Sequence, residues 1–116
     1  MRRGDIYIVD LSYGRSGSEQ GKVRPAIIVS HDTMNGTLSW GTVIVVPLST
    51  SVKQMQRSGV LVIRKGDGGL NADTTALFHQ VTTIDRKRLQ KHIGTLRPET
   101  IALVDDGLRK VLALSR

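Results

Sequence analysis

The chain contains no cysteine in 116 residues, which excludes disulfides and thiolate metal sites and fits a reducing compartment. Aromatic residues are nearly absent: Tyr7, Tyr13, Trp40 and Phe78 are the whole supply, so a flat platform for stacking bases is not expected. No long apolar run exists. Ala26 to Val29 and Val43 to Val46 are strand-length, far too short for a membrane-crossing helix. The prolines, Pro25, Pro47 and Pro98, stand far apart, and no repeat or low-complexity tract interrupts the chain, so a single domain over residues 1–116 is expected. A chain of this length buries roughly two-thirds of its unfolded surface, enough for a core without a covalent staple. The opening Met1-Arg2-Arg3-Gly4-Asp5 leads straight into an apolar strand without a signal core, which predicts a cytoplasmic protein. Acidic residues are scarce. Ten Asp and Glu face 17 Lys and Arg, a formal charge of +7 that points to a phosphate backbone as partner.

Hydrophobic patterning predicts a mainly β chain closed by one helix. Asp5 to Asp10 reads as a first strand, and the Gly- and Ser-rich stretch from Leu11 to Lys22 as a mobile loop. Arg24-Pro25 disfavours helix, and Ala26-Ile27-Ile28-Val29 reads as a strand buried on both faces. Asn35-Gly36 is a turn dipeptide. Trp40 to Leu48 is a further interior strand ending at Pro47, and Val60 to Ile63 and Thr75 to Val81 are two more, separated by a turn through Asp67-Gly68-Gly69. Asp85 caps a helical turn over Arg86 to Arg88, and Lys91 to Leu96 returns as a short strand. Pro98 suits a first helical position. Glu99 complements the helix dipole there, and Ile101, Val104, Leu108, Val111 and Leu112 form an apolar face. Gly107 inside this helix costs about 1 kcal/mol against alanine, with no local reason for it.

Several familiar sites fail on spacing. Gly17 to Lys22 falls one residue short of a phosphate-binding Gly-rich loop and is followed by Val23. Asp67 to Asp73 lacks the third ligand and the closing glutamate of a calcium loop, and reads as a turn. His31, His79 and His92 are dispersed without a carboxylate at ligand spacing, so neither a metal nor any other cofactor is expected. Asp105-Asp106 reads as solvated helix surface. What remains is a Gly/Ser-rich loop leading to Arg24 and a hydroxyl cluster, Ser49-Thr50-Ser51, leaving an interior strand. A guanidinium can neutralise charge growing on a phosphate while hydroxyls hold its oxygens, without a metal. The plainer reading is an arginine capping carbonyls beside an ordinary turn.

These residues resemble the MazF/PemK toxin family over nearly the whole chain. The resemblance is carried by Arg3-Gly4-Asp5-Ile6-Tyr7, Val9-Asp10-Leu11, Gly17-Ser18-Glu19-Gln20-Gly21, Arg24-Pro25-Ala26-Ile27-Ile28-Val29 and Val46-Pro47-Leu48-Ser49-Thr50. Gln80-Val81-Thr82-Thr83-Ile84-Asp85 with Arg88-Leu89 continues it, while Thr33 to Trp40 and Ser51 to Asp73 match weakly. The resemblance implies an SH3-like small barrel with a C-terminal helix, paired as a homodimer. It also implies a sequence-specific, metal-independent endoribonuclease that cuts single-stranded RNA by attack of the ribose 2′-hydroxyl. The products are a 2′,3′-cyclic phosphate and a 5′-hydroxyl, and an acidic, disordered antitoxin peptide is the implied inhibitor.

The family's catalytic arginine falls on Arg24 through the Arg-Pro pair. Its threonine falls on Ser49 when counted from Pro47, or on Thr50 one place later. Relatives commonly carry Asp or Glu before the glutamine of the later segment, where this chain has His79, a residue type suited to proton transfer near neutral pH. The alternative for His79 is a core or strand-surface histidine. Ser18, Glu19, Gln20 and Lys22 of the loop and Gln80 are expected to touch RNA, Glu19 being equally readable as a solvated carboxylate. Lys53, Arg57, Arg86, Lys87, Arg88 and Lys91 are expected to attract RNA diffusely. Two other readings compete. A CcdB-like toxin that binds gyrase would share the fold but needs a tryptophan in its C-terminal tail, where this chain ends Leu112-Ala113-Leu114-Ser115-Arg116. A basic barrel that binds RNA without cutting it is favoured only by His79 in place of an acid.

Overall fold

In the computed structural model residues 1–12 and 23–115 are described. Seven strands and a C-terminal helix lie among them: β1 (Asp5–Asp10), β2 (Val23–Ile28), β3 (Thr42–Ser49), β4 (Val62–Ile63), β5 (Thr74–Ala76), β6 (Thr82–Asp85), β7 (Leu89–Thr95) and α3 (Pro98–Val111). Two short helices, α1 (Asp32–Asn35) and α2 (Val52–Met55), follow β2 and β3. The strands pair in the order β4-β5-β3-β2-β1-β7, and β6 also pairs with β3. Because β6 on one flank leads through the turn Arg86–Arg88 into β7 on the other, the sheet curls into a half-closed barrel.

Strand alternation gives β1, β2 and β3 two buried faces. Val9, Leu11, Ala26, Ile28, Val43 and Val45 fill the inside of the curl. Ile6, Ile27, Val46 and Leu48 point the other way and are covered by Val104 and Leu108 of α3. Each fully buried aliphatic side chain contributes about 1.5–3 kcal/mol of transfer free energy. The expected apolar face of α3 is thus confirmed in its first three turns, with Ile101 packed alongside, whereas Val111 and Leu112 stay exposed.

Two sequence expectations fail around Pro47. The strand does not end there but runs on to Ser49, and the expected strand Thr75 to Val81 breaks after Ala76 into a 3-10 turn, Phe78–Gln80, before β6 resumes. Both follow from the missing proline N–H. The Pro47 carbonyl accepts from the Leu77 N–H at 2.9 Å, so the edge of β3 that faces Leu77 is the one where Pro47 has no donor. The ladder loses a bond on that side only. The neighbouring chain leaves it there, and β3 itself continues.

Pro98 opens α3 as expected, but the helix is capped from elsewhere. Buried Asp67 accepts from the Thr100 hydroxyl at 2.5 Å, the Arg97 N–H at 2.9 Å and the Arg97 Nε at 3.3 Å. Burial pushes the Asp67 carboxyl up, and these three donors outweigh it, holding the group below the ordinary aspartate value. Gly107 now has its reason. A Cβ there would overlap the ring of Phe78, so the glycine lets α3 close onto the 3-10 turn. Asp105 and Asp106 are not free surface: Asp105 pairs with Arg3 at 2.6 Å and Asp106 with Arg109 at 2.8 Å. No helix among the described residues is long and apolar enough to cross a membrane.

Candidate active site

β2 and β3 pair antiparallel with Ala26 opposite Pro47, Ile27 opposite Val46 and Ile28 opposite Val45. Carried two residues further along both strands, that register brings Arg24 level with Ser49. Arg24 is also level with Val9 of β1, and Ser49 with Thr75 of β5, which in turn stands opposite Val62. One row across the sheet therefore reads Val9, Arg24, Ser49, Thr75, Val62. Cross-strand neighbours project to the same face, so half-buried Arg24 and half-buried Ser49 leave the sheet on one face at one end of the curl.

The hydroxyl cluster divides in the structure. Ser49 is the last residue of β3 and accepts the Ser51 N–H at 3.1 Å, which leaves its own proton available to a ligand. The Ser51 hydroxyl starts α2 by accepting the Gln54 N–H at 3.4 Å. Thr50 lies beyond the last paired residue and is exposed. His79 is exposed on the 3-10 turn rather than on a strand. That turn is held against β3 by the Leu77–Pro47 bond, on the flank opposite β2, so β3 separates His79 from Arg24. Gln80 beside it is half-buried and donates its N–H to the Leu77 carbonyl at 2.9 Å. The loop residues Ser18, Glu19, Gln20 and Lys22, and most of the expected mobile loop, lie outside the described residues.

A cleft of about 320 Å³ lies along β6, lined by Thr82, Thr83, Ile84 and Asp85 from both faces of that strand and by Asp10, Leu11, Thr42 and Arg88; Arg24 and Ser49 are not part of its lining. Thr82 and Ile84 stand opposite Val45 and Val43 and so continue the Ser49 face. Asp10 pairs with Arg88 at 3.1 Å. Bonds from the Ser12 hydroxyl and Ser12 N–H hold the Asp10 carboxyl low against the opposing effect of burial, with Arg88 adding a lesser pull in the same direction.

Other groups singled out in the sequence are occupied elsewhere. The Arg86 guanidinium, expected to draw RNA, donates to four carbonyls: Met34 at 2.8 Å, Asn35 at 3.0 Å, Trp40 at 3.0 Å and Thr37 at 3.1 Å. It is a structural clamp. Lys53, Lys87 and Lys91 remain exposed. The His31 ring accepts the Thr33 N–H at 3.0 Å to start α1, and His92 packs on Tyr7 with Asp5 3.6 Å away. Asp67 caps α3, while Asp73 accepts the Lys65 N–H at 2.8 Å. Among the described residues no three His, Asp or Glu side chains gather around one point. Sequence reasoning missed Thr75. It is fully buried, its hydroxyl has no hydrogen-bond partner among the described residues, and in the sequence it is merely one more β-former in Thr74-Thr75-Ala76.

Residues 2–112 match the family described as PemK-like, MazF-like toxin of type II toxin-antitoxin system. The endoribonuclease MazF of Staphylococcus epidermidis is 36% identical over 115 residues, covering 99% of this chain and 93% of that protein. Among solved structures, a mycobacterial endoribonuclease in complex with its cognate antitoxin superposes with a TM-score of 0.76 at 22% identity, covering 100% of this chain and 96% of that one. MazF from Deinococcus radiodurans superposes with a TM-score of 0.77 at 20% identity, over 97% and 96% of the respective chains. At these identities the structural likeness speaks for the fold.

Proposed function

The chain belongs to the PemK-like, MazF-like toxins of type II toxin-antitoxin systems, and from that premise we propose that its endoribonuclease chemistry is carried by Arg24 and Ser49. The supporting observation is the shared row on the sheet, which brings a guanidinium and a hydroxyl to one face from neighbouring strands. RNA supplies the nucleophile. The ribose 2′-oxygen attacks the adjacent phosphorus, the bond to the 5′-oxygen breaks, and a 2′,3′-cyclic phosphate and a 5′-hydroxyl result. The 2′-hydroxyl proton is lost and the leaving 5′-oxygen gains one, so no water is consumed in this step.

Arg24 meets the charge that grows on the non-bridging oxygens, where a fixed cation is worth most in the transition state. Ser49 donates to one of these oxygens and holds the phosphate in line, a role that its position on the strand suits better than that of exposed Thr50. His79 moves a proton at the edge of this site. Gln80 and the loop residues Ser18, Glu19, Gln20 and Lys22 contact the RNA around the cut, and the exposed lysines add diffuse attraction. No metal takes part in this scheme. The protein works as a homodimer in the cytoplasm, and an acidic antitoxin peptide complementary to its +7 charge holds it inactive.

The test is cleavage of a long single-stranded RNA by purified protein in EDTA. Discrete fragments with 5′-hydroxyl ends are expected, together with a loss of at least about 10²-fold in kcat for Arg24→Ala at unchanged melting temperature. Intact RNA with wild-type protein, or full activity of the variant, would overturn the assignment.

A further inference from the structure

We propose that Thr75 is a positioning residue for RNA cleavage, acting through Ser49. The inference rests on the reading of Ser49 as the phosphate-holding hydroxyl and adds a residue that the family resemblance did not point to. Three observations carry it. Ser49 and Thr75 are directly opposed in the antiparallel pairing of β3 with β5, so their side chains leave the sheet side by side. Thr75 is fully buried and its Oγ1 has no hydrogen-bond partner among the described residues, whereas the hydroxyl of equally buried Thr74 donates to the Ala72 carbonyl at 2.9 Å. The residue opposite Thr75 on its other side is Val62, which offers no polar side-chain atom, so Ser49 is its polar neighbour in the row.

A buried hydroxyl without a partner is unfavourable, and valine, of the same shape, would fill the place without that penalty. The arrangement gains a purpose when the phosphate arrives. The Ser49 oxygen already accepts the Ser51 N–H. Turning the Thr75 hydroxyl toward Ser49 as the phosphate binds lets the same oxygen accept from Thr75 as well, with the Ser51 bond kept. With both accepting positions filled, the Ser49 proton has one direction left, outward to a non-bridging phosphate oxygen. Thr75 is sealed from solvent and touches neither RNA nor the reacting atoms, and no bond is made or broken at it.

The experiment measures kcat, KM and melting temperature on an RNA oligonucleotide carrying one mapped cleavage site. Thr75→Val is expected to lower kcat about tenfold with KM within about twofold, at an equal or higher melting temperature. Thr75→Ala should show the same loss of kcat even if it melts lower, and Thr75→Ser should keep the wild-type rate. In a Ser49→Ala background Thr75→Val should cost nothing further, because the two act as one unit. Unchanged kcat in Thr75→Val, an equal loss in Thr75→Ser, or fully additive losses in the double variant would each overturn the proposal. Ser49→Ala separates the two readings. If it keeps full activity the assignment of Ser49 itself has failed, whereas a slow Ser49→Ala beside a fully active Thr75→Val removes only the role of Thr75.

Discussion

Gly107 in the middle of α3 faces the ring of Phe78 with no room for a methyl group between them. Alanine there would gain about 1 kcal/mol of helix propensity. Forcing a methyl against a rigid, buried ring costs more, about 1–3 kcal/mol. Gly107→Ala is therefore expected to melt several degrees lower in a thermal scan. Phe78 directly precedes His79, so the displaced turn should also slow RNA cleavage under conditions where the variant is fully folded. A melting temperature at or above wild type would refute the packing argument.

Acid stability should depend on Asp67. Its carboxyl sits below the ordinary aspartate value because bonds from Thr100 and Arg97 outweigh the effect of burial. A depressed folded pKa means that the stabilisation is complete above the ordinary value of about 3.9 and is lost as pH falls through the lower folded value. Asp67→Asn should cost about 1–2 kcal/mol at pH 7 by weakening the cap on α3. It should also flatten the fall in stability below about pH 4, as urea titrations across that range would show. An equally steep acid transition in the variant would place the sensitive group elsewhere.

A proton-transfer role for His79 has a signature that a surface histidine lacks. Cleavage by His79→Ala should fall by about 10²-fold and lose one limb of its pH profile. Identical rates and an identical profile would leave His79 as an exposed side chain on a turn, with no part in the chemistry.

Features whose cause is local were readable from the residues alone. Alternation defined β1, Pro98 and Glu99 marked the start of α3, and the Asp85 side chain caps the turn after β6 by accepting the Lys87 N–H at 2.9 Å. Those that failed have causes far away in the chain. Thr75 to Val81 has the composition of one strand, yet it breaks because Pro47, some thirty residues earlier, lacks a donor on the facing edge. Gly107 looked gratuitous until Phe78 was placed against it. Asp67 read as a turn residue because its partners, Arg97 and Thr100, lie thirty or more residues away. For the candidate site, motif resemblance supplied Arg24 and left Ser49 and Thr50 open, and only strand register distinguishes their settings. Thr75 carried no signal, since a threonine in a strand is ordinary until its hydroxyl is found buried and unmatched.

The clamp on Arg86 ties two distant stretches of chain into one thermodynamic unit. Freeing the carbonyls of Met34, Asn35, Thr37 and Trp40 costs charge-assisted bonds to one guanidinium, so loosening the connection between α1 and β3 is opposed while the turn before β7 stays in place. Local fluctuations at this end of the barrel are thereby coupled between the two stretches. Their amide protons are therefore expected to exchange with solvent through a shared event rather than by independent fraying, which amide hydrogen exchange would read as matched rates in the two stretches.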